Sequence, residues 1–328
     1  MAKIKAKIIG TGSFAPTQRM TNADFEKIVE TTDEWIVSRT GIKERRIAPK
    51  DMAVSDMAVE ACKKAIEVSG LKNEDIDLLI IGTVTPDYKL PSAACVVQEK
   101  MNLPNATAFD VVAACTGFIN GLSVASALLE SGSYTNALVV GAEKLSTIVN
   151  YNDRNTCVLF GDGAGAAVLT TSDDGTGVIG TYLKSDGNLR ELLWVKDGGS
   201  AHPYEKDYAF EGDDKVMMSG GDIFKIAVKQ MCNAAVKVLD DAGITADDIA
   251  LIIPHQANIR IIGAIAKRLK VSMDKVFVNI ENYGNTSAAS VPIALDEAYR
   301  SGRIKPGDHV LMVAFGGGLI WGSALIKW

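Results

Sequence analysis

Histidine and cysteine are scarce in this chain of 328 residues: three histidines, and five cysteines scattered as Cys62, Cys95, Cys115, Cys157 and Cys232. There is no CxxC and no HExxH, so the spacing of a zinc site is missing. An odd, widely spaced set of thiols also argues against a disulfide framework. Long apolar runs are missing too. The longest, Val310–Phe315, falls far short of the roughly 18 residues that read as a membrane span. The first residues, MAKIKAKIIGTGSF, lack the apolar stretch of about 7–15 residues that marks a secretory leader. A cytoplasmic protein with no membrane partner is expected. Positive charge is in deficit, 34 Lys and Arg against 40 Asp and Glu, a net of −6. That balance argues against general nucleic-acid binding. No GxxxxGK[ST] occurs, and neither GTGSF near residue 10 nor GDGAG at Gly161–Gly165 fits the dinucleotide fingerprint. No metal and no cofactor are expected.

What is present is the composition of a globular enzyme, 47% hydrophobic and 23% charged. The length suits two domains of about 150 residues or one duplicated unit. Helical and strand-like patterns alternate throughout, which predicts an α/β fold. Ser55–Val68 reads as an amphipathic helix with Ser55 as its N-cap and Gly70 as its stop. A buried strand, Ile76–Gly82, follows. The pattern returns 173 residues later, where Gly243 stops the helix Ile223–Asp241 and a strand runs from Ile249 to His255: SGLKNEDIDLLIIG matches AGITADDIALIIPH. Further on, the helix ending at Gly132 and the strand Asn136–Ala142 match the helix ending at Gly302 and the strand His309–Phe315, now at an offset of 170. At that offset Cys115 falls on Asn285. The chain therefore reads as two α/β copies, 1–172 and 173–328, packed about a pseudo-twofold axis that brings equivalent loops to one cleft. A polar, glycine-rich segment of about 185–221 has no counterpart and reads as an inserted loop.

Chemistry concentrates on those loops. Cys115 stands where a strand turns into a helix, among the small residues Ala113, Ala114, Thr116 and Gly117. Orphan N–H groups and the helix dipole there favour a thiolate, the form that attacks acyl carbons. Cys62, Cys95 and Cys232 lie in helical patterns and Cys157 in a strand-like one, as buried structural thiols do. His255 ends a buried strand, the place where such folds carry catalytic groups. Asn285 lies in a second strand-to-helix turn, where an asparagine serves either as a cap or as a functional amide. Gly316–Gly318 permit either a tight turn or a close approach of backbone to a ligand.

AACTGF around Cys115, PHQANIRI around His255, YGNTSAAS around Asn285 and AFGGGLIWGSAL near the end together resemble the β-ketoacyl-acyl-carrier-protein synthase III family. DEWIVSRTGIKERRI and DRNTCVLFGDGAGA are similar to it as well, and the likeness runs from about Ile9 to Trp328. The resemblance implies the thiolase-like fold, two α/β halves in a five-layered α-β-α-β-α core, and a homodimer. It implies that Cys115 takes an acyl group from acyl-CoA. Malonyl-acyl-carrier protein then loses CO2, and the carbanion attacks the acyl-cysteine. The Cys115 and Gly317 N–H groups would form the oxyanion hole, while His255 and Asn285 would hydrogen-bond the malonyl enolate, a task for preorganised donors. Trp35, Arg39, Thr40, Arg154 and Asn258 would bind CoA, with the adenine between Trp35 and Arg154; the other reading of Trp35 is core packing. Leu90 and Phe224 would line the acyl pocket. Gln256, Ala257, Asn258, Ile259, Arg260, Lys225, Lys267 and Arg268 would meet the acidic carrier protein.

Neighbouring families differ at particular residues. Thiolases need a second cysteine near the C-terminus, and none follows Cys232. Elongating synthases carry a histidine where Asn285 stands. Hydroxymethylglutaryl-CoA synthases need a glutamate that the stretch from Thr83 lacks. Two other classes remain as alternatives, a cysteine hydrolase using Cys115 and His255, and a silent binding protein on the same fold.

Overall fold

Runs that are apolar at every position become central strands, because both faces of such a strand are covered. LLIIG is the plainest case, buried at all five positions. The computed structural model describes residues 4–204 and 214–328, so part of the expected inserted loop, 205–213, lies outside the described residues. In chain order the elements that position the site are β1 (Lys5–Phe14), α1 (Asp33–Thr40), α2 (Val54–Ser69), β2 (Leu78–Gly82), α3 (Ala93–Met101), β3 (Thr107–Val111), α4 (Gly117–Glu130), β4 (Asn136–Lys144) and β5 (Asp162–Ser172). Then come β6 (Gly177–Ser185), α5 (Gly220–Ala242), β7 (Ile249–Pro254), α6 (Ile259–Leu269), α7 (Ser290–Arg300), β8 (His309–Gly316) and β9 (Ile320–Lys327).

The two sheets repeat one plan. The first runs β1-β5-β4-β2-β3, with β2 parallel to β3 and β4 and with β5 antiparallel to its neighbours. The second runs β6-β9-β8-β7, with β7 parallel to β8 and with β9 antiparallel to its neighbours. A parallel bridge from Ile252 to Val276 stands where a fifth strand would pair. Helices α4 and α7 lie between the sheets and share one apolar cluster with both. Helices α2 and α3 cover the outer face of the first sheet. Helices α5 and α6 cover that of the second. This is the expected five-layered arrangement. The division at 172/173 falls in the turn from β5 to β6. No helix among the described residues is long and apolar enough to cross a membrane.

Gly70 and Gly243 end α2 and α5 in the left-handed conformation, with φ of 73° and 65°. Four details differ from the sequence reading. The N-cap of α2 is Ala53, and Asp56 returns to its N–H at 2.8 Å; Ser55 lies one step inside, its N–H and hydroxyl both bound by Asp87. Cys157 closes a helical turn, Arg154–Cys157, that Asp153 caps through its side chain. Cys95 is exposed, on the outward side of α3. The fourth is the register of the repeat at the site. Each half carries a tight turn ahead of its central helix, Ala114–Thr116 and Ser287–Ala289. Each turn opens on a non-glycine residue with positive φ, Ala114 at 43° and Ser287 at 49°. The turns are therefore 173 residues apart, and Cys115 corresponds to Ala288. The offset falls to 170 only at the helix ends, because α7 has 11 residues against 14 in α4.

Candidate active site

Each tight turn is laid against the other half. The Cys115 turn packs on the end of β8, and the Ser287 turn packs on the end of β4. Glycines make these approaches possible. A methyl group on Gly316 would stand 2.6 Å from Cys115 N, and one on Gly141 would stand 2.1 Å from Ala288 O. Backbone at such distances leaves no room for any side chain.

Cys115, His255 and Asn285 are all buried, with 7%, 2% and 8% exposure. His255 follows β7, and its N–H donates to Val313 O on β8 at 2.8 Å. Its Nδ1 lies 2.5 Å from Ser290 Oγ, at the first residue of α7. Burial pulls the imidazole down to about 3, so the ring is neutral. Asn285 is fixed along its backbone by Leu159 and Gly161. Its Oδ1 accepts the Ser287 N–H at 2.8 Å, which leaves Nδ2 as the donor end of the amide.

The Cys115 thiol departs from expectation. Burial pushes it up to about 12, a hydrogen bond from Ser287 counteracts this, and the charge of Glu143 adds to the rise. The sequence reading favoured a thiolate at a helix N-terminus. Here Cys115 precedes the first residue of α4, in the turn Ala114–Thr116, and desolvation outweighs the dipole. The resting group is a thiol.

A cavity of about 980 Å³ opens at the sulfur, walled in part by Cys115, Ser287, Gly317, Phe160 and Leu193. Neither Leu90 nor Phe224 lines it in the single chain. Leu90 projects outward, 88% exposed, in the loop ahead of α3. The ring of Phe224 lies under Arg260, whose guanidinium carbon is 4.9 Å from the ring centroid.

Of the residues expected to meet CoA, Trp35, Arg39, Arg154 and Asn258 gather on one surface, while Thr40 is buried and requires correction as a contact. Trp35 is half-buried, with the Arg39 and Arg154 guanidinium carbons 4.8 Å and 5.3 Å from its ring. A base sandwiched between them needs roughly 7 Å, two van der Waals contacts. The slot is closed by Arg154, which also donates to Glu30 O. Thr40 faces inward, and its hydroxyl is engaged with Ile36 O and Ile42 N. Asn258 caps α6 through Arg260 N and ties it to α1 through Arg39 O. Arg260, Lys267, Arg268 and Lys225 are exposed. Gln256 requires correction as a carrier contact. It is 1% exposed, and its amide is bound by Pro254 O, Phe277 O and Asn279 N, so it is a strut inside the fold. Ile259 packs against Gly41, where a methyl group would lie 2.8 Å from its Cβ.

Sequence reasoning missed Glu143 and Ser290. The only available signal for Glu143 was an acid that prolongs an apolar strand run. Among the described residues no group of His, Cys, Asp and Glu side chains is placed to hold a metal ion.

The sequence profile of 3-oxoacyl-[acyl-carrier-protein] synthase III matches residues 109–187, and the profile of its C-terminal part matches 239–328. A β-ketoacyl-[acyl-carrier-protein] synthase III of Caldanaerobacter subterraneus subsp. tengcongensis is 54% identical over 326 residues, 99% of this chain and 98% of that protein. One from Clostridioides difficile is 51% identical over 99% of this chain and 98% of its own length. The crystal structure of 3-oxoacyl-[acyl-carrier-protein] synthase III from Aquifex aeolicus superposes with a TM-score of 0.91 at 48% identity, covering 98% of this chain and all of that one.

Proposed function

The chain belongs to the β-ketoacyl-[acyl-carrier-protein] synthase III family, the acyltransferases that open fatty acid synthesis by condensing an acyl-CoA with malonyl-acyl-carrier protein, and we propose that its two halves divide that reaction. Cys115, from the first half, takes the acyl group. Its sulfur forms the new C–S bond, CoA leaves as the thiol, and the Cys115 and Gly317 N–H groups hold the oxyanion. His255 and Asn285, from the second half, hold the malonyl thioester oxygen while CO2 departs. Two hydrogen bonds support this role. Ser290 Oγ engages His255 Nδ1, which leaves Nε2 as the ring atom free for the substrate, and the tautomer with hydrogen on Nε2 is the donor this role requires. Asn285 presents Nδ2 in the same way. Both groups are neutral donors, suited to an enolate that forms and then attacks. The carbanion adds to the acyl-cysteine, and 3-ketoacyl carrier protein is released with Cys115 regenerated. No cofactor is needed for these steps.

Around this centre, the Trp35, Arg39 and Arg154 face is the CoA-binding surface, with Arg154 swinging aside to admit the base. Arg260, Lys267 and Arg268 on α6 with Lys225 on α5, all exposed, form the cationic face that meets the carrier. The functional unit is a cytoplasmic homodimer. The unpaired edge of β3, with Val112 exposed just after it, and the exposed Tyr88 and Leu90 in the loop ahead of α3 support pairing with a second copy and a role for Leu90 at the partner's acyl cavity. The observation that carries the reading is the meeting of the two halves at the nucleophile: the Cys115 turn packs on the Ser287 turn, Cys115 and Ser287 line one cavity, and the segment through Ser287 holds Asn285 by its Oδ1 and His255 through Ser290. The test is a panel of acyl-CoA donors with malonyl carrier protein, run on wild type and Cys115→Ala. Wild type should form ketoacyl carrier protein. Cys115→Ala should take up no acyl label yet still release CO2 from malonyl carrier protein. Free acid as the sole product would mean a hydrolase instead.

A further inference from the structure

One buried carboxyl beside the nucleophile is unused by these steps. Glu143, at the end of β4, is fully buried. Its oxygens accept from Thr85 Oγ1 at 2.6 Å, Val84 N at 3.1 Å and Thr83 Oγ1 at 3.2 Å. Thr85 Oγ1 itself accepts the Lys144 N–H at 2.9 Å, so its proton is directed at the carboxyl. A nest of donors with no acceptor among them is built for a carboxylate. On its remaining side lies the Ser287 turn, which packs on both β4 and the Cys115 turn; Ser287 lines the cavity together with Cys115, and its hydroxyl acts to lower both Glu143 and the Cys115 thiol. The cross-packing of the two halves explains the meeting, since the Ser287 turn lies on the end of β4.

We propose that Glu143 is a positioning residue that holds the Cys115 proton through Ser287 during acyl transfer. As the sulfur forms its bond to the acyl carbon, the thiol proton passes to Ser287 Oγ and the Ser287 proton passes to Glu143. The bond from the acyl carbon to the CoA sulfur then breaks with its electron pair on that sulfur. The held proton returns through Ser287, so that CoA leaves as the thiol. No proton is gained or lost overall, and no charge accumulates at the buried centre. The inference rests on Cys115 being the acyl acceptor.

The surroundings single out this pair. From the loop after β2, Thr83, Val84 and Thr85 present neutral donors; from β5, the residue opposite Glu143 is Gly163. The neighbouring Lys144 ammonium is turned to the carbonyls of Pro49, Lys50 and Met52. Cys115 is thus the titratable group that faces Glu143 from the nucleophile turn. Burial raises Glu143 to about 7, so a carboxylate able to accept the proton is present above that pH and lost below it.

Ser287→Ala is a mild probe, because the equivalent turn already carries Ala114 with nearly the same positive φ. Glu143→Gln is the second variant and Glu143→Asp the conservative one. Single-turnover acylation of Cys115 by acetyl-CoA is followed by intact mass across pH, with malonyl carrier-protein decarboxylation measured alongside. Wild-type acylation should rise through about pH 7. Ser287→Ala and Glu143→Gln should each acylate about 10²-fold more slowly, the low end of what a positioned proton acceptor contributes. Both should lose the rise with pH, and Glu143→Asp should recover part of it, while decarboxylation changes little. Wild-type rates and pH profile in Ser287→Ala or Glu143→Gln overturn the relay. Equal loss of both half-reactions in Ser287→Ala overturns it too, in favour of a structural role. A wild type whose Cys115 takes no acyl group is a different failure, which removes the assignment of the nucleophile and the relay with it.

Discussion

The two halves share a backbone plan and almost none of their chemistry. In the first, the end of β2 and the start of α4 touch through bare backbone: a methyl group on Gly82 would stand 2.5 Å from the carbonyl carbon of Gly117. At the same two places in the second half stand His255 and Ser290, joined side chain to side chain at 2.5 Å. In the first half Glu143 stands one residue before the end of β4; at the same place in the second, β8 carries Gly316, whose missing side chain lets the Cys115 turn approach. One turn carries the thiol of Cys115, and its counterpart carries Ala288. A duplicated scaffold thus places two loops about one cleft, and each half leaves empty the positions the other has filled. The proposed roles draw acylation from one half and decarboxylation from the other, which makes the assignment testable by mutation.

The sharpest test of that division is removal of the second-half donors. His255→Ala or Asn285→Ala should slow decarboxylation of malonyl carrier protein by on the order of 10²–10³, the cost of losing one preorganised donor to an oxyanion. Acylation of Cys115 by acyl-CoA should persist in both. Because the imidazole titrates near 3, the decarboxylation rate of wild type should be insensitive to His255 ionisation at neutral pH, unlike the acylation rate. Stability follows the same group with a definite sign. A histidine whose pKa is depressed by folding contributes stability above its ordinary value of about 6.5, and that stability is lost as pH falls from there toward about 3. An Asn285→Ala enzyme that decarboxylates at the wild-type rate would end the comparison as drawn.

A second test fills an empty position. Gly82→Ala puts a methyl group against the backbone of Gly117, two residues after the nucleophile, where neither β2 nor α4 has a flexible side chain to move aside. Overpacking of this kind costs about 1–3 kcal/mol. Thermal unfolding should show the loss, and Cys115 acylation should weaken with it. A variant that melts like wild type would mean the contact is slack and that His255 and Ser290 need no special room on their side.

Much of this arrangement was legible in the sequence. The stop glycines Gly70 and Gly243 and the uniformly apolar strands are local signals, and they were sufficient for the duplication and the layers. The places of Cys115, His255 and Asn285, in turns and at a strand end, were legible from the alternation of strand and helix patterns around them. The register at the turn was not, since three residues missing from the end of α7 look, in the sequence alone, the same as three missing before it. Glu143 was hidden because an acid at a strand end reads as a solvated terminus; only the cross-packing of the halves buries it. Gln256 was misplaced because a polar residue beside a catalytic histidine reads as exposed, whereas its amide closes the gap between β7 and the segment around Phe277. The thiol state of Cys115 depends on desolvation, a tertiary property that no local pattern carries.

The smallest expected effect lies on the exposed cationic face of α5 and α6, Lys225, Arg260, Lys267 and Arg268, all from the second half. Arg260 lies in the first turn of α6, after the short loop that His255 begins, and Lys267 lies seven residues on and shares its face. The chain as a whole is acidic, so an acidic carrier is drawn only by a local cluster of cations such as this one. Rim charges act mainly on the association rate and are screened by salt. Arg260→Glu also removes the guanidinium from the Phe224 ring, so Lys267→Glu, which has no such contact, serves as the cleaner partner experiment. Both variants should raise the apparent KM for malonyl carrier protein several-fold at low salt and flatten its rise with added salt. Acylation of Cys115 by acyl-CoA, which needs no carrier, should change far less. If Lys267→Glu left the salt dependence of the carrier step as steep as in wild type, the docking face would have to lie elsewhere on the mouth. Equal damage to both half-reactions in Arg260→Glu would instead assign that side chain to the CoA surface, which Asn258 already ties to α6 through Arg39.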